Sequence, residues 1–475
     1  MNTRTIIGLE IHVELSTKSK IFCSCSTDFG STANSQCCPI CIGMPGSLPT
    51  LNKKVVDYAV KAGLALNCNI ARESKMDRKN YFYPDLVKGY QITQYDQPLC
   101  KNGFLEIAQG KNIKKIGIKR IHIEEDTGKS LHTNEDVTLL DYNRSGVPLI
   151  EIVTEPDLSS AEETKEFLEN LRDILKYIGI SDVKMEEGSL RCDVNINVAT
   201  ENGKSFSNIT ELKNLNSFKS VVKAIEFEEN RHRLLLQEDK NTSKETRRWD
   251  DIANITISMR SKETEDDYRY FPEQDIMNIA LSEDEINKIK ETLPELPRDK
   301  RERWATIFKL PEYDINILTS FLELANFFEE TMAYYNSPKK LSNWIMTELL
   351  RRLKEEEMDI SQLIFTPKDL AELLDLIDKG VINNSIGKKV FIEMFNDEGK
   401  PKIIAEKNGW IQIEDIKVID EVLRGILREN PQSVNDYRNG KDRAFGYLVG
   451  QSMKALKGKG NPQLINKVLK KLLEE

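Results

Sequence analysis

Gly8-Leu-Glu-Ile-His-Val-Glu-Leu15 alternates without a break, so an extended chain puts Glu10, His12 and Glu14 on one side and Leu9, Ile11, Val13 and Leu15 on the other. A period of two marks a β-strand with one dry face and one polar face. Similar strands are expected over Lys115–Glu124, Pro148–Val153 and Ser189–Val198, around the core strand Ile6–Leu15. Helices are expected over Asn52–Ala65, Ser160–Gly179 and Ser217–Gln237; the second opens with Ser159-Ser160 and then Glu162-Glu163, a capping signature with acids in the first turn. The first half therefore reads as a largely antiparallel α+β body.

Working outward, the pattern changes at Leu293-Pro-Glu-Leu-Pro297, where two prolines interrupt regular structure. Beyond it, helix-period runs cover Tyr313–Tyr335, Lys339–Glu357, Pro367–Lys379 and Ile413–Asn430. Domains are expected over 1–293, 294–407 and 408–475, in keeping with 475 residues and an ordinary domain size of about 100–200. With 39% hydrophobic and 31% charged residues the chain can build cores and keep a solvated exterior. No apolar run approaches the roughly 18 residues of a membrane span, and Glu10 stands where a signal peptide would be apolar, so a cytoplasmic protein without a membrane partner is expected. The net charge of -9 argues against wholesale nucleic-acid coating, yet Pro431–Glu475 carries nine Lys/Arg against four acids. That asymmetry fits a polyanion-binding tail, although a solvated basic helix face has the same composition.

Five of the eight cysteines lie in Cys23-Ser-Cys25 and Cys37-Cys38-Pro-Ile-Cys41. Two close pairs a dozen residues apart suit tetrahedral zinc coordination, with four thiolates closing the site and leaving a structural role. Cys23, Cys25, Cys38 and Cys41 are the expected ligands, with Cys37 as an alternative to Cys38; Cys68, Cys100 and Cys192 read as core thiols.

A second metal site is suggested by His12 between Glu10 and Glu14, and by Arg120-Ile-His-Ile-Glu-Glu-Asp126. Glu151, inside the apolar run Val147–Val153, is costly to bury unless paired or coordinated. A solvated strand face remains the simpler account of the first strand alone. Asn143-Arg-Ser-Gly146 offers Arg144 and free amides to an anionic oxygen, or is an ordinary hairpin turn. Asp77–Asp96 shows little helix or strand character and alternates basic and aromatic groups: Lys79 and Lys88 are candidates to clamp phosphates, and Tyr81, Phe82 and Tyr83 to pack on a base or sugar. No standard phosphate loop is present, because Ile123 and Val198 stand where Lys129-Ser130 and Lys204-Ser205 would need a first glycine.

These segments, GLEIHVEL, CSC with CPIC and GMPGSLP, DRKNYFYPDLVKGYQITQYDQP, RIHIEEDTGKS, LDYNRSGVPLIEIVTEPD and EEGSLRCDVNINV, follow one another in an order that resembles the GatB family, the B subunits of aspartyl/glutamyl-tRNA amidotransferases. ELKNLNSF, KETRRWDD and DYRYFPEQD continue the likeness, and YLVGQSMKALKGKGNP resembles the family's YqeY-like tail. The resemblance implies a catalytic domain, a helical domain and a tRNA-binding tail. It further implies ATP-dependent amidation of Glu-tRNA(Gln) or Asp-tRNA(Asn) through a phosphorylated intermediate, with ammonia arriving by an internal channel from a glutamine-hydrolysing GatA partner and GatC tethering the pair. It assigns Mg²⁺ to Glu10, His12, Glu125 and Glu151, zinc to the cysteines, and the surroundings of the ATP phosphates to Lys79, Lys88, Asn143 and Arg144. Tyr81, Tyr83, Lys129 and Ser145 are the expected remaining nucleotide contacts. Alternation itself puts Glu124, not Glu125, on the face of His122, so Glu125 requires a bulge or strand end. The competing reading, a non-catalytic zinc-containing tRNA-binding adaptor, gives no reason to keep an apolar-run carboxylate beside a strand-face histidine.

Overall fold

The computed structural model describes residues 3–109, 112–132, 137–200, 206–238, 240–261, 265–396, 400–411, 416–456 and 462–474. Lys204, Ser205, Lys457, Lys459 and Glu475, which enter the sequence arguments above, lie outside the described residues. The chain divides into two compact units, Met1–Pro297 and Arg298–Glu475. No helix among the described residues is long and apolar enough to cross a membrane.

The first unit is built on a nine-stranded sheet of β1 (Thr3–Glu14), β2 (Asn69–Ile70), β3 (Cys100–Gln109), β4 (Asn112–Glu125), β5 (Pro148–Thr154), β6 (Leu190–Thr200), β7 (Thr210–Lys213), β8 (Glu245–Asp250) and β9 (Ile255–Ser261). Their order is β9-β8-β7-β6-β1-β5-β4-β3-β2. Every neighbouring pair is antiparallel except β7 and β8. That parallel pair needs a crossover, which is helix α3 (Phe218–Gln237).

Leu9, Ile11 and Val13 are buried on the dry face together with Ile121, Ile123, Ile150, Ile152, Val194 and Ile196. Helices α1 (Lys53–Ala65), α2 (Ala161–Tyr177) and α3 supply the other half of this core through residues such as Val55, Ala59, Phe167, Leu171, Val221 and Ile225. Each helix starts where a side chain accepts from an early backbone N–H: Asn52 from Lys54, Ser160 from Glu163 and Ser217 from Ser220. Cys68, Cys100 and Cys192 are buried in the same core. Packing three helices on one face leaves the alternate residues of the central strands free to line a polar surface on the other.

Two expectations need correction. Asp77–Asp96 contains strands, Asp77–Asn80 and Tyr90–Thr93, which pair with each other and, through the former, with Phe271–Pro272. The polar, aromatic composition hides this because the strand is specified by distant partners: Asp77 is buried, ion-paired to Lys75 and accepting from the backbone N–H of Tyr95. The run Tyr313–Tyr335 is two helices, Glu312–Leu318 and Leu322–Met332, separated at Thr319, whose hydroxyl donates to the Ile315 carbonyl.

The second unit is helical. Its tail helices, Ile416–Glu429, Pro431–Arg438, Asp442–Ala455 and Pro462–Glu474, bury a core of their own around Ile419, Leu423, Leu448, Ile465 and Leu469.

Candidate active site and metal centres

The sheet register builds the site. Arg191 on β6 lies opposite His12 on β1, His12 opposite Glu151 on β5, and Glu151 opposite His122 on β4. Directly opposed residues share a face, so four strands deliver one row of Arg191, His12, Glu151 and His122, and Glu124 joins it two residues beyond His122. His12 Nε2 lies 3.4 Å from both Glu124 Oε1 and Glu151 Oε2. His122 Nε2 lies 3.6 Å from Glu124 and 3.4 Å from Glu151.

Two buried carboxylates are thus held between two imidazoles. Burial by itself opposes ionisation of all four groups. The mutual attraction outweighs it, raising His12, holding His122 up at about 9, and lowering Glu124 and, further, Glu151. Ligand atoms of His12, Glu124 and Glu151 all lie within 4.8 Å of one another. Two hard carboxylates converging with one imidazole fit a divalent cation, and the buried Nδ1 of His122 has no partner among the described residues.

Around this centre the same face carries Glu10, which accepts from the Asn195 side chain at 2.9 Å, and Lys213, which pairs with Asp193 and, at 3.5 Å, with Glu211. Burial and the nearby Asp126 carboxylate push Glu14 up to about 8. Lys79 from the small sheet sits 4.6 Å above the Tyr268 ring, and Tyr81 meets that ring edge-on at 5.9 Å. Glu10, Lys79, Lys213, Glu124, Glu151 and Tyr268 line one recess. Tyr268 and Tyr270 flank Arg269, which holds a φ of 47° rare for a side-chain-bearing residue; the turn aims both rings at the recess.

The recess therefore gathers Glu10, His12, Glu151, Lys79 and Tyr81 of the expected residues, with Glu124 in the position the resemblance gives to Glu125. Glu125 turns to Lys88, with which it forms a close ion pair, and accepts from the Ile92 backbone N–H at 2.8 Å. Both line a separate pocket shared with Cys23 and Cys41. Asn143 and Ser145 secure the cysteine loop: Asn143 accepts from Gln36 N–H at 2.8 Å and donates to Thr32, and the Ser145 hydroxyl donates to the Cys41 carbonyl at 3.1 Å. Arg144 donates to the Thr127 and Gly128 carbonyls at 3.1 and 2.8 Å. Lys129 lies on a short hairpin with Thr138–Asp141, and Tyr83 is exposed. Arg191, Asp193, Glu211, Lys213, Tyr268 and Tyr270 escaped the sequence reading. For Arg191 and Asp193 the signal was available, since both alternate with Cys192 and Val194 as His12 alternates with Ile11 and Val13.

Sulfur atoms of Cys23, Cys25, Cys38 and Cys41 also lie within 4.8 Å of one another. Tetrahedral zinc with Zn–S near 2.3 Å needs sulfurs about 3.8 Å apart, so this set fits it with little adjustment. Cys37 points instead toward Asn143 Oδ1, 3.9 Å away. A hydrogen bond from Cys23 pulls the Cys41 thiol down to about 4 against its burial, helped by the Cys38 backbone N–H and Lys20. Lys20 is wholly buried, its Nζ 3.6 Å from Cys41 Sγ. A thiolate is thereby favoured where a metal ligand must be deprotonated.

Residues 5–287 match the family model described as the GatB/GatE catalytic domain, and residues 326–473 one described as the GatB domain. The chain is 54% identical over 470 residues to the B subunit of the aspartyl/glutamyl-tRNA(Asn/Gln) amidotransferase of Clostridium tetani, covering 99% of this chain and 98% of that one. The corresponding B subunits of Caldicellulosiruptor saccharolyticus and Thermoanaerobacter pseudethanolicus are 54% and 53% identical over 479 and 475 residues, covering 100% of both chains in each comparison. With both models and full-length relatives in agreement, the chain belongs to the GatB family, the B subunits of aspartyl/glutamyl-tRNA(Asn/Gln) amidotransferases.

Proposed function

We propose that this chain, assembled with a GatA-type amidase and a small GatC-type subunit, uses ATP to amidate Glu-tRNA(Gln), Asp-tRNA(Asn) or both. The observation that carries the reading is the row of His12, Glu151, His122 and Glu124 at the floor of a recess that also holds lysines and tyrosines. A carboxylate oxygen leaves poorly and phosphate leaves well, so activation precedes amide formation. The aminoacyl carboxylate oxygen bonds to the γ-phosphorus as the bond to ADP breaks. Ammonia then bonds to the acyl carbon, the carbon–oxygen bond to phosphate breaks, and the proton shed by nitrogen is balanced on phosphate.

His12, Glu124 and Glu151 would hold a Mg²⁺ ion, which supplies neutralisation of nucleotide charge. Lys79 offers a positive charge to the phosphates from the roof of the recess, and Tyr81 and Tyr268 restrict water there. The cysteine set would hold a structural zinc. The tail would add tRNA affinity, its described residues including Arg438, Lys441, Arg443, Lys454, Lys467, Lys470 and Lys471.

The test supplies the purified complex with misacylated tRNA, γ-labelled ATP and either glutamine or ammonium. Label on aminoacyl-tRNA before the nitrogen donor is added, followed by release as phosphate with amide formation, supports the proposal. Amide formed without ATP, or ATP turnover that never labels the tRNA, rejects it. Truncation after Lys407 should weaken tRNA binding at fixed salt while sparing basal ATP turnover; undiminished binding would assign the basic tail to ordinary solvated surface.

A further inference from the structure

We propose that Arg191 grips the phosphoryl group as it passes from nucleotide to aminoacyl carboxylate, with Asp126 as the residue that positions it; this rests on the ATP-dependent reading above. Arg191 stands directly opposite His12 on the adjoining strand and lines the recess with Glu124, Glu151 and Lys79. Its Nη2 donates to Asp126 Oδ2 at 2.6 Å. No other nitrogen of its guanidinium has a hydrogen-bond partner among the described residues, although the Glu14 and Glu124 carboxylates also attract it, and its Nε is fully buried.

The side chain as a whole is 35% exposed and lines the recess, so Nη1, which no protein group takes among the described residues, is open to a ligand there. The ligand must be anionic, oxygen-rich and planar in its demand for donors, because an arginine fork offers several N–H groups in one plane. A phosphoryl group in flight spreads charge over three equatorial oxygens and matches that fork.

Two other cations of the neighbourhood are engaged. Lys213 is paired with Asp193 and Glu211, and Arg144 spends Nε and Nη2 on backbone carbonyls. Asp126 is buried, and it accepts from the Thr127 backbone N–H at 2.8 Å while lying 3.4 Å from Arg144. It therefore holds one edge of the Arg191 fork in a fixed orientation and leaves Nη1 without a protein hydrogen bond on a side chain that lines the recess. Arg191 forms no covalent bond: the phosphorus–oxygen bond to the carboxylate forms and that to ADP breaks while the guanidinium takes up the developing charge.

The experiment compares the intact wild-type complex with Arg191→Lys, Arg191→Ala and Asp126→Asn complexes. The first readout is ADP binding with Mg²⁺, with and without fluoroaluminate, a mimic of the phosphoryl group in transfer. Wild type should bind ADP more tightly when fluoroaluminate is present, and both Arg191 variants should lose this tightening with ADP affinity alone unchanged. The second readout is labelling of aminoacyl-tRNA by ATP, expected to fall about 1,000-fold in Arg191→Ala. Partial recovery on adding guanidinium ion would separate a lost donor from a distorted fold. Asp126→Asn, which retains the arginine, should slow labelling less than Arg191→Ala and leave ADP affinity alone. Fluoroaluminate tightening that survives in Arg191→Ala, or labelling at the wild-type rate in either arginine variant, overturns the inference while the ATP-dependent function stands. Failure of the wild-type complex to label tRNA overturns both.

Discussion

Two histidine–carboxylate clusters occur among the described residues of the first unit, and they differ in access and in completeness. In the central sheet, His12 and His122 hold Glu124 and Glu151, and the His12 side chain is 24% exposed toward the recess. Between α3 and the β7–β9 edge, His232 and Glu228 are both 0% exposed. There His232 Nδ1 lies 2.8 Å from Ser207 Oγ, and Nε2 lies 3.0 Å from Thr210 Oγ1 and 3.2 Å from Glu228. Glu228 further accepts from Arg231 at 2.7 Å and from Thr256. The same side-chain chemistry is complete in one cluster and incomplete in the other, where His122 Nδ1 and Arg191 Nε lack partners among the described residues. Open valence and access, rather than residue type, distinguish a site from a structural network.

The largest effect that could sharpen this contrast is expected from Glu151→Gln. The substitution nearly preserves volume but removes the charge a hard cation needs, so phosphorylation of aminoacyl-tRNA should fall by about three orders of magnitude or more while the variant melts near wild type. Glutaminase activity of the amidase partner should persist. Labelling near the wild-type rate would remove Glu151 from the metal site and make the two clusters alike.

Next is the metal content of the cysteine loop. Cys38→Ser should remove bound zinc, read by metal analysis of the purified complex, whereas Cys37→Ser should retain it because that thiol faces Asn143. Equal zinc in both variants would reject the four-sulfur assignment.

The alternation of Gly8–Leu15 was enough to predict the polar face, and the same rule favoured Glu124 over Glu125 on β4. What it could not supply was the partner of each polar residue. Lys88, a candidate phosphate clamp in the sequence, pairs with Glu125, and Asn143 and Ser145 bond to the cysteine loop about a hundred residues away in sequence. Such contacts depend on how loops close over the sheet, and no local period records them. The parallel β7–β8 pair was illegible for a related reason: Thr210–Lys213 and Glu245–Asp250 are short, and α3 sets their register.

A smaller effect is expected in the closed cluster. Burial opposes the Glu228 charge, but hydrogen bonds from His232, Arg231 and Thr256 lower its carboxyl to about 2 from an ordinary 4.5. A depressed carboxyl stabilises the fold above its unfolded pKa, and the contribution drains away as pH falls from about 4.5 toward 2. The shift corresponds to about 3 kcal/mol. Glu228→Gln should therefore lower the thermal midpoint at pH 7, flatten the acid dependence in that window, and leave turnover per folded complex intact. Loss of turnover without loss of stability would give this cluster a chemical role.

The smallest effect is expected from Thr210→Val, which removes one hydroxyl from the same network at nearly constant shape. His232 Nε2 keeps Glu228 at 3.2 Å, and Arg231 Nη2, now 3.3 Å from the hydroxyl, keeps Glu228 at 2.7 Å. Neither partner is left alone, so the cost should be that of a net hydrogen bond, about 1 kcal/mol, rather than that of an orphaned buried group. Denaturant unfolding of the variant against wild type measures it. A loss near that of Glu228→Gln would mean that the hydroxyl holds His232 in place, and that the closed cluster is as dependent on a single missing partner as the open one.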